Sequence, residues 1–463
     1  MRQQLLDRLG GFFDKWADDK IPFSHVILAF LAATVLRTFG EHVILASVPT
    51  GFWGEDLAHY TLSYVALALT LIFFVHVLAR DPVARAARIV LPGFVFLNLV
   101  PLIDWLAGAA GVFRIGYMMP ATHADLPVHF FTFFGPLKAW GVTPGMRVEI
   151  ALVMAVMGMY IFLRTRRIGR AVAGAFLFYT LVFMYVAMPF WIKGVMALLG
   201  FSQDVDSWLL IRWYLCLIAP FGLLVAYAGW RGHFLAIAAD MRWARLGHYI
   251  LFALIGAGVF MRYMVFPVSI DRDVLFRILF MAVSVTAAWL FSVITNNEED
   301  RAIDRISNPD RPTVTGTVTT GVYRSVGGWS FAAALLFGSI AGMREVEIIL
   351  VFMANYFLYS MPPLRLKRVP VLSKLVIGAN SLLMFMIGYG FFVDRVTLPP
   401  MIIVFFLVFL SAAANIIDLK DREGDAAAGI TTLPALVGFL WARRLVGAAF
   451  VLAHLAAYVA FGL

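Results

Sequence analysis

The stretch "ILFMAVSVTAAWLFSVITNNEEDRAIDRISNPDRP", Ile278–Pro312, decides how this chain is read. Its first half is an apolar run of the length that crosses a bilayer core as a helix. Its second half is dense with charge. Asn296, Asp300 and Asp304 recur every four residues, so a helix continuing through them stacks all three on one face. Carboxylates stacked in this way resist joint ionisation unless a cation lies between them. Hard oxygen donors select Mg2+ or Ca2+ over soft metals, and Mg2+ commonly uses one or two carboxylates together with substrate phosphates.

The rest of the chain has the same character as that apolar half. Of 463 residues, 62% are hydrophobic and 14% charged, with a mean hydropathy of +0.86, whereas a soluble globular protein is about half apolar and a quarter charged. The fold class is therefore all-α: a polytopic integral membrane helical bundle of about 13 transmembrane helices. The predicted spans are 24–48, 58–78, 89–110, 147–164, 171–199, 208–229, 247–267, 275–295, 325–342, 346–361, 371–392, 399–417 and 443–461. The single Cys216 excludes an intramolecular disulfide and argues against a cysteine metal site.

The net charge of +9 raises the question of nucleic acid, and the placement of the charge answers it. "ARDPVARAARIV", "RTRRIGR", "WRGHFLAIAADMRWAR", residues 296–320, "LRLKRVP" and "LKDREGD" fall on alternate turns of the chain, and the loops between them are poorer in Lys and Arg. That is the positive-inside pattern, so no nucleic-acid partner is expected and these loops are assigned to the cytoplasm. The N-terminus then lies inside and the C-terminus outside, as in a bacterial inner membrane. No secretory signal follows Arg2. Instead Leu5, Leu6, Leu9, Phe12, Phe13 and Trp16 recur at helical spacing, which predicts an amphipathic cytoplasmic-surface helix within residues 1–23.

Residues 24–240 form a transmembrane domain whose loops carry no dense acidic motif, and a second domain covers 245–463. The longest non-helical piece, 111–146, is rich in Pro, Gly and aromatics and is expected to lie flat on the outer interface. In the first domain Asp104, inside "LVPLIDWLAG", is an intramembrane carboxylate and by default a functional candidate. Glu41, His42 and Lys193 read as interfacial groups. His59 and His76 fall near opposite ends of one helix and so do not form a metal or haem pair.

In the second domain another acidic loop, "DLKDREGDAAAGITTLP", follows the span 399–417. Asp418, Asp421 and Asp425 are spaced three and four apart, again one face of a helix end. One carboxylate triad alone reads equally well as a solvated cap. Two, at the same membrane face, point to a shared metal–diphosphate site. Between them lies "YSMPPLRLKRVP", in which Pro362 and Pro363 end a helix and Arg365, Lys367 and Arg368 present cations. Arg suits bidentate phosphate contact and Lys acts as a point charge. Lys374 and Arg311 are weaker candidates for the same work, and Tyr359 opens a Tyr-Ser-x-Pro-Pro lead-in that topology alone does not explain.

Together "NNEEDRAIDRISNPDRP", "YSMPPLRLKR" and "DLKDREGDAAAGITTLP" resemble the motifs of the UbiA superfamily of intramembrane prenyltransferases, over about residues 245–463. The Y-S-x-P-P-x-R-L-K-R loop and the D-x-x-D-x-E-G-D form are similar to those of the homogentisate prenyltransferase and chlorophyll synthase branch. The resemblance implies that Asn296, Asp300, Asp304, Asp421 and Asp425, with Asp418 as an extra acid, bind Mg2+ and through it a prenyl diphosphate. Asp300, Asp304, Asp421 and Asp425 would be catalytic. It implies that Arg365, Lys367 and Arg368, seconded by Lys374, Arg311 and Tyr359, hold the diphosphate.

The expected reaction is Mg2+-dependent transfer of the prenyl group, after ionisation of the allylic diphosphate, to a lipophilic acceptor that is aromatic or quinone-like. The alternatives are a non-aromatic acceptor (a glycerol lipid, carotenoid or sugar phosphate) or a non-catalytic isoprenoid-binding membrane protein. Two departures stand out. The family's usual Asn-Asp pair is Asn296-Asn297 here, and seven helices follow residue 245 where the family has nine. A transporter should show inverted or parallel repeats, and none is evident.

Overall fold

In lipid every backbone N–H and C=O must find its partner within the chain, and the apolar runs meet that demand as helices. The structure, a computed structural model, describes residues 2–43, 53–108, 114–118, 124–137, 140–263, 270–392, 397–416, 418–419 and 431–461. It divides into two compact units, Met1–Arg231 and Gly232–Leu463. Among the described residues ten helices are long and apolar enough to cross a membrane. The predicted spans 325–342, 346–361 and 399–417 coincide with three further helices, Thr320–Ala341, Met343–Ser360 and Pro400–Ala413, that are more polar or shorter.

The first unit contains α1 (Arg2–Trp16), α2 (Phe23–Val43), α3 (Trp53–Ala79), α4 (Val83–Gly93), α5 (Leu99–Leu106), α6 (Asp125–Phe131), α7 (Pro144–Thr165), α8 (Ile168–Val186), α9 (Met188–Leu198) and α10 (Ser207–Gly229). Two predicted spans are interrupted, both at proline, which lacks the N–H and clashes with the preceding turn. The run 171–199 breaks before Pro189 into α8 and α9. The run 89–110 carries Pro92 and Pro101 and divides into α4, a 3-10 turn at Phe94–Asn98, and α5.

The amphipathic N-terminal helix is present as α1. Its apolar face packs on the first unit: Phe13 is buried against Tyr160 with ring centroids 5.1 Å apart, and Leu6, Leu9 and Trp16 join the same core. Charges that read as topology signals also hold this end together. Arg85 pairs with Asp14, and Arg88 Nη1 donates to the Asp18 and Ile21 carbonyls at 3.0 and 2.7 Å. Buried Asp81 accepts from Arg164 Nε at 2.9 Å and from Tyr160 Oη at 2.5 Å. In the segment 111–146, Phe130, Phe133 and Phe134 pack on Tyr179, with centroids 4.9–5.5 Å away, while Phe131 is exposed. A two-residue parallel pairing joins Arg114–Ile115 to Trp140–Gly141.

Asp104 has a structural task. It is 1% exposed, and its Oδ1 accepts the Gly145 N–H at 2.7 Å in the first turn of α7, where the backbone donors of a helix lack partners. A Cβ at Gly145 would sit 2.6 Å from the Val100 carbonyl oxygen and 2.9 Å from Asp104 Oδ1, so the approach requires glycine. Asp104→Ala leaves that donor buried and unsatisfied, a loss of about 1–3 kcal/mol. It is expected to lower the thermal midpoint of the detergent-purified protein. Lys193, on α9, is half-buried, whereas the side chains of Glu41 and His42 lie outside the described set. His59 and His76 each have a separate partner, Tyr117 Oη and the Asp81 carbonyl.

The helix α11 (Arg231–Ala239) leads into the second unit, which holds α12 (Trp243–Tyr263), α13 (Arg272–Glu299), α14 (Arg301–Ser307), α15 (Pro312–Thr315), α16 (Thr320–Ala341), α17 (Met343–Ser360), α18 (Pro370–Tyr389), α19 (Pro400–Ala413), α20 (Leu433–Val437) and α21 (Phe439–Phe461). Small residues set its helix contacts, as expected where lipid supplies no hydrophobic drive between helices. Gly256 of α12 and Gly388 of α18 bring those backbones together, and Gly378 of α18 packs on Phe406 and Ser411 of α19. There α19 takes a π turn over Phe405–Leu410, with Ser411 Oγ donating to the Phe406 carbonyl at 3.1 Å.

Candidate functional site

The helix that carries the first acidic motif does run on through it. α13 extends to Glu299, and the i→i−4 hydrogen bonds continue from Asp300 N to Asn296 O (3.0 Å), Asp304 N to Asp300 O (2.7 Å) and Asn308 N to Asp304 O (2.8 Å). Asn296, Asp300 and Asp304 are thereby strung along one continuous helical edge.

The α17–α18 loop brings its cations to that edge. Its Pro362–Pro363 peptide bond is cis, and Arg365 adopts a left-handed backbone (φ 43°). Lys367, 9% exposed, donates to Asp300 Oδ1 and reaches Asn296 Oδ1 at 3.5 Å. Arg365 Nη2 lies 3.3 Å from both Asp300 Oδ1 and the Glu299 carbonyl. Ser360 Oγ, fully buried at the end of α17, donates to Asn296 Oδ1 at 3.1 Å. Burial lowers the Lys367 pKa from the ordinary lysine value, and the neighbouring Asp300 carboxylate pulls it partly back.

Asp304 faces a second cation. Arg311 Nη1 is 2.8 Å from its Oδ2, and Asn308 Nδ2 donates to its Oδ1 at 3.1 Å. The Arg311 N–H is not aligned on Oδ2, which is buried and accepts no hydrogen bond. Burial raises the Asp304 pKa, against the opposing pull of Arg311 and Asn308. This buried oxygen, with Asn296 Oδ1 and the Asp300 carboxylate, is a hard oxygen donor set that fits Mg2+.

From the second motif, Asp418 is buried and pairs with Lys374, also buried. Lys374 thus meets an acid of the second motif, as Lys367 meets one of the first. Arg368 is exposed and joins no ion pair among the described residues. Asp421 and Asp425 lie outside the described residues. Among the described ones no three His, Cys, Asp or Glu side chains cluster as metal ligands.

Asn297, which stands where the family's usual pair has Asp, is the centre of a buried polar network. It is 0% exposed; its Oδ1 accepts from Arg242 Nη2 at 2.6 Å and from Arg311, while its Nδ2 donates to Asp240 and to Tyr323 Oη at 2.9 Å. Burial and the like charges of Arg311 and Arg245 lower the Arg242 pKa to about 10. Two arginines face two aspartates across a neutral amide, so the cluster is balanced. Asn297→Asp would set a carboxylate against Asp240 where Nδ2 now donates, a loss of about 1–3 kcal/mol, and the thermal midpoint should fall accordingly. Ser360 was visible within the Tyr-Ser-x-Pro-Pro lead-in. Asp240 and Arg242 sat unmarked in a basic loop whose charge topology already explained.

An aromatic column runs from this edge into the core. Tyr359 meets Tyr356 at 6.1 Å between centroids, Tyr356 meets Trp289 at 5.5 Å, and Tyr249 meets Trp289 at 5.5 Å and Phe352 at 5.1 Å. Comparison with known proteins agrees with the motifs: residues 250–463 match the UbiA prenyltransferase family. Over those residues the second unit is similar to that family. It is 31% identical over 164 residues to the digeranylgeranylglyceryl phosphate synthase of Methanoculleus marisnigri, covering 35% of this chain and 57% of that one. It is 30% identical over 169 residues to the homogentisate phytyltransferase of Synechocystis, covering 33% of this chain and 55% of the relative. The chain thus spans about half the length of the curated relatives it matches. A solved UbiA homologue from Archaeoglobus fulgidus bound to GPP and Mg2+ aligns over 48% of this chain and 77% of that one, at 20% identity and a TM-score of 0.40.

Proposed function

We propose that the second unit transfers a prenyl group from a prenyl diphosphate to a lipophilic acceptor in an Mg2+-dependent reaction at the cytoplasmic side of the membrane. One observation carries this reading: Lys367 and Arg365 converge on Asn296 and Asp300, so phosphate-binding cations and metal-binding oxygens share one edge. Mg2+, held by Asn296, Asp300 and Asp304 and by Asp421 and Asp425 of the second motif, would supply charge neutralisation for the leaving diphosphate. Lys367 and Arg365 hold diphosphate oxygens and stabilise the negative charge that grows as the allylic C–O bond breaks. The Tyr359–Tyr356–Trp289 column excludes water and offers ring faces to the allylic cation, an interaction worth about 2 kcal/mol when desolvated.

The Tyr359–Arg368 loop and the D-x-x-D-x-E-G-D motif favour an aromatic or quinone-like acceptor. The similarity to digeranylgeranylglyceryl phosphate synthase favours the second reading, a glycerol lipid. The test is purified protein with Mg2+ and geranyl, farnesyl and longer prenyl diphosphates, offered either a dihydroxyphenyl acid or a prenylated glyceryl phosphate. Diphosphate release and product mass are measured. Prenylated product with one acceptor pool, abolished by chelation of Mg2+, is the expected result. No release with any donor, or release unaltered by Asp300→Asn, overturns the proposal.

A further inference from the structure

The first unit contains a cavity that the transferase reading does not use. It holds about 180 Å³ between α2, α3, α4, α7, α8 and α10. An apolar cavity of about 150 Å³ accommodates a benzene ring, so this one has room for a single six-membered ring with small substituents. Leu67, Leu71, Val90, Ile150 and Val182 supply flat apolar wall. Arg37 and Glu149 line it as one charge of each sign, so the lining carries no net charge with which to select an ion.

Its polar side is built from tyrosine hydroxyls. Tyr117 Oη hydrogen-bonds Tyr214 Oη at 2.8 Å, and His59 Nε2 hydrogen-bonds Tyr117 Oη at 2.5 Å. Tyr185, bonded to Thr70 Oγ1 at 3.1 Å, stacks on Tyr214 with centroids 6.0 Å apart. His59 is 5% exposed and Tyr214 1% exposed, so this chain of hydrogen bonds is withdrawn from solvent. A neutral imidazole can give or take the proton at Nε2 according to its tautomer. When it donates, Tyr117 accepts and donates its own O–H to Tyr214, and Tyr214 presents an O–H to the cavity. When it accepts, the chain reverses and Tyr214 presents a lone pair. The same wall therefore serves a ring carbonyl and a ring hydroxyl.

From ring-sized volume, balanced charge and a reversible hydrogen-bond chain, we propose that the first unit binds the ring of a neutral phenol- or quinone-type lipid. The site is separate from the carboxylate edge of the second unit and does not rest on the activity proposed there. The test is equilibrium binding of a radiolabelled decyl-benzoquinone, and of its quinol, to the full chain in phospholipid nanodiscs. Both forms should bind saturably. Val153→Trp, which fills the cavity, should abolish binding. Tyr214→Phe and Tyr117→Phe, which keep the shape, should weaken it about five- to tenfold, the worth of one hydrogen bond. Asp300→Asn should leave it unchanged. Decanol, which has the chain without the ring, should bind at least tenfold more weakly. Affinities unmoved by all three first-unit variants, binding lost in Asp300→Asn, or equal binding of decanol would each overturn the proposal.

Discussion

Lys367→Ala is expected to slow diphosphate release by about 10²–10³-fold at saturating Mg2+, the scale set by removing one preorganised charge from a developing anion. Lys367 is the side chain that reaches both Asn296 and Asp300, and it does so from a buried position where its charge is poorly screened. Lys367→Arg should restore only part of the rate, because a planar fork does not occupy the place of a compact ammonium. The pH dependence has a definite sign. Burial lowers the Lys367 pKa and Asp300 raises it again, and the cationic form is the one that holds phosphate. The alkaline limb of the pH–rate profile should therefore lie below the ordinary lysine range. In Asp300→Asn, where the supporting charge is gone, the residual activity should fall off at still lower pH. A wild-type rate in Lys367→Ala would remove this residue from the diphosphate site.

Gly388→Ala is expected to destabilise the second unit by about 3 kcal/mol, read as a lower thermal midpoint and faster proteolysis in detergent. A Cβ at Gly388 falls inside the contact radius of the Ala253 carbonyl and stands 3.0 Å from Ala253 Cα. These are backbone atoms of α12, so no rotamer change relieves the overlap, and α12 and α18 must part. Gly256→Ala meets the Phe385 carbonyl and, at 2.8 Å, the Tyr389 amide nitrogen, and should act in the same way. Gly447, on the exposed side of α21 with nothing near its added Cβ, is the control. There alanine should be neutral or stabilising by about 0.5 kcal/mol, since glycine carries the larger entropic cost within a helix. Equal midpoints for Gly388→Ala and Gly447→Ala would contradict the close contact of α12 and α18.

Much of the second unit was legible in the sequence because its signals are local. A four-residue period places Asn296, Asp300 and Asp304 on one helical edge, and the hydrogen bonds through Asp300 and Asp304 show that edge continuous. The Pro362–Pro363 pair follows the end of α17, and Arg365 and Lys367 beyond it reach Asp300. For Lys374 and Arg311 the sequence does not say which carboxylate each one meets, because that is set by how the helices pack. Here each is paired with an acid, Asp418 and Asp304 respectively.

Residue order by itself determined the lipid-soluble helical class, the sites of the proline breaks and the two acidic motifs with their basic loop, because length, hydropathy and period act within a few turns of chain. Tertiary structure alone decided what those groups meet. Asp104, the clearest intramembrane acid, caps α7 from 41 residues away. Asn297, one position from the face that drew attention, became the centre of a network reaching back to Asp240 and Arg242. Tyr117 and His59, 58 residues apart, share a hydrogen bond behind the wall of a cavity that no sequence period announces. A buried polar group must find a partner wherever the fold supplies one, and that partner is chosen by how the helices pack, not by neighbours along the chain.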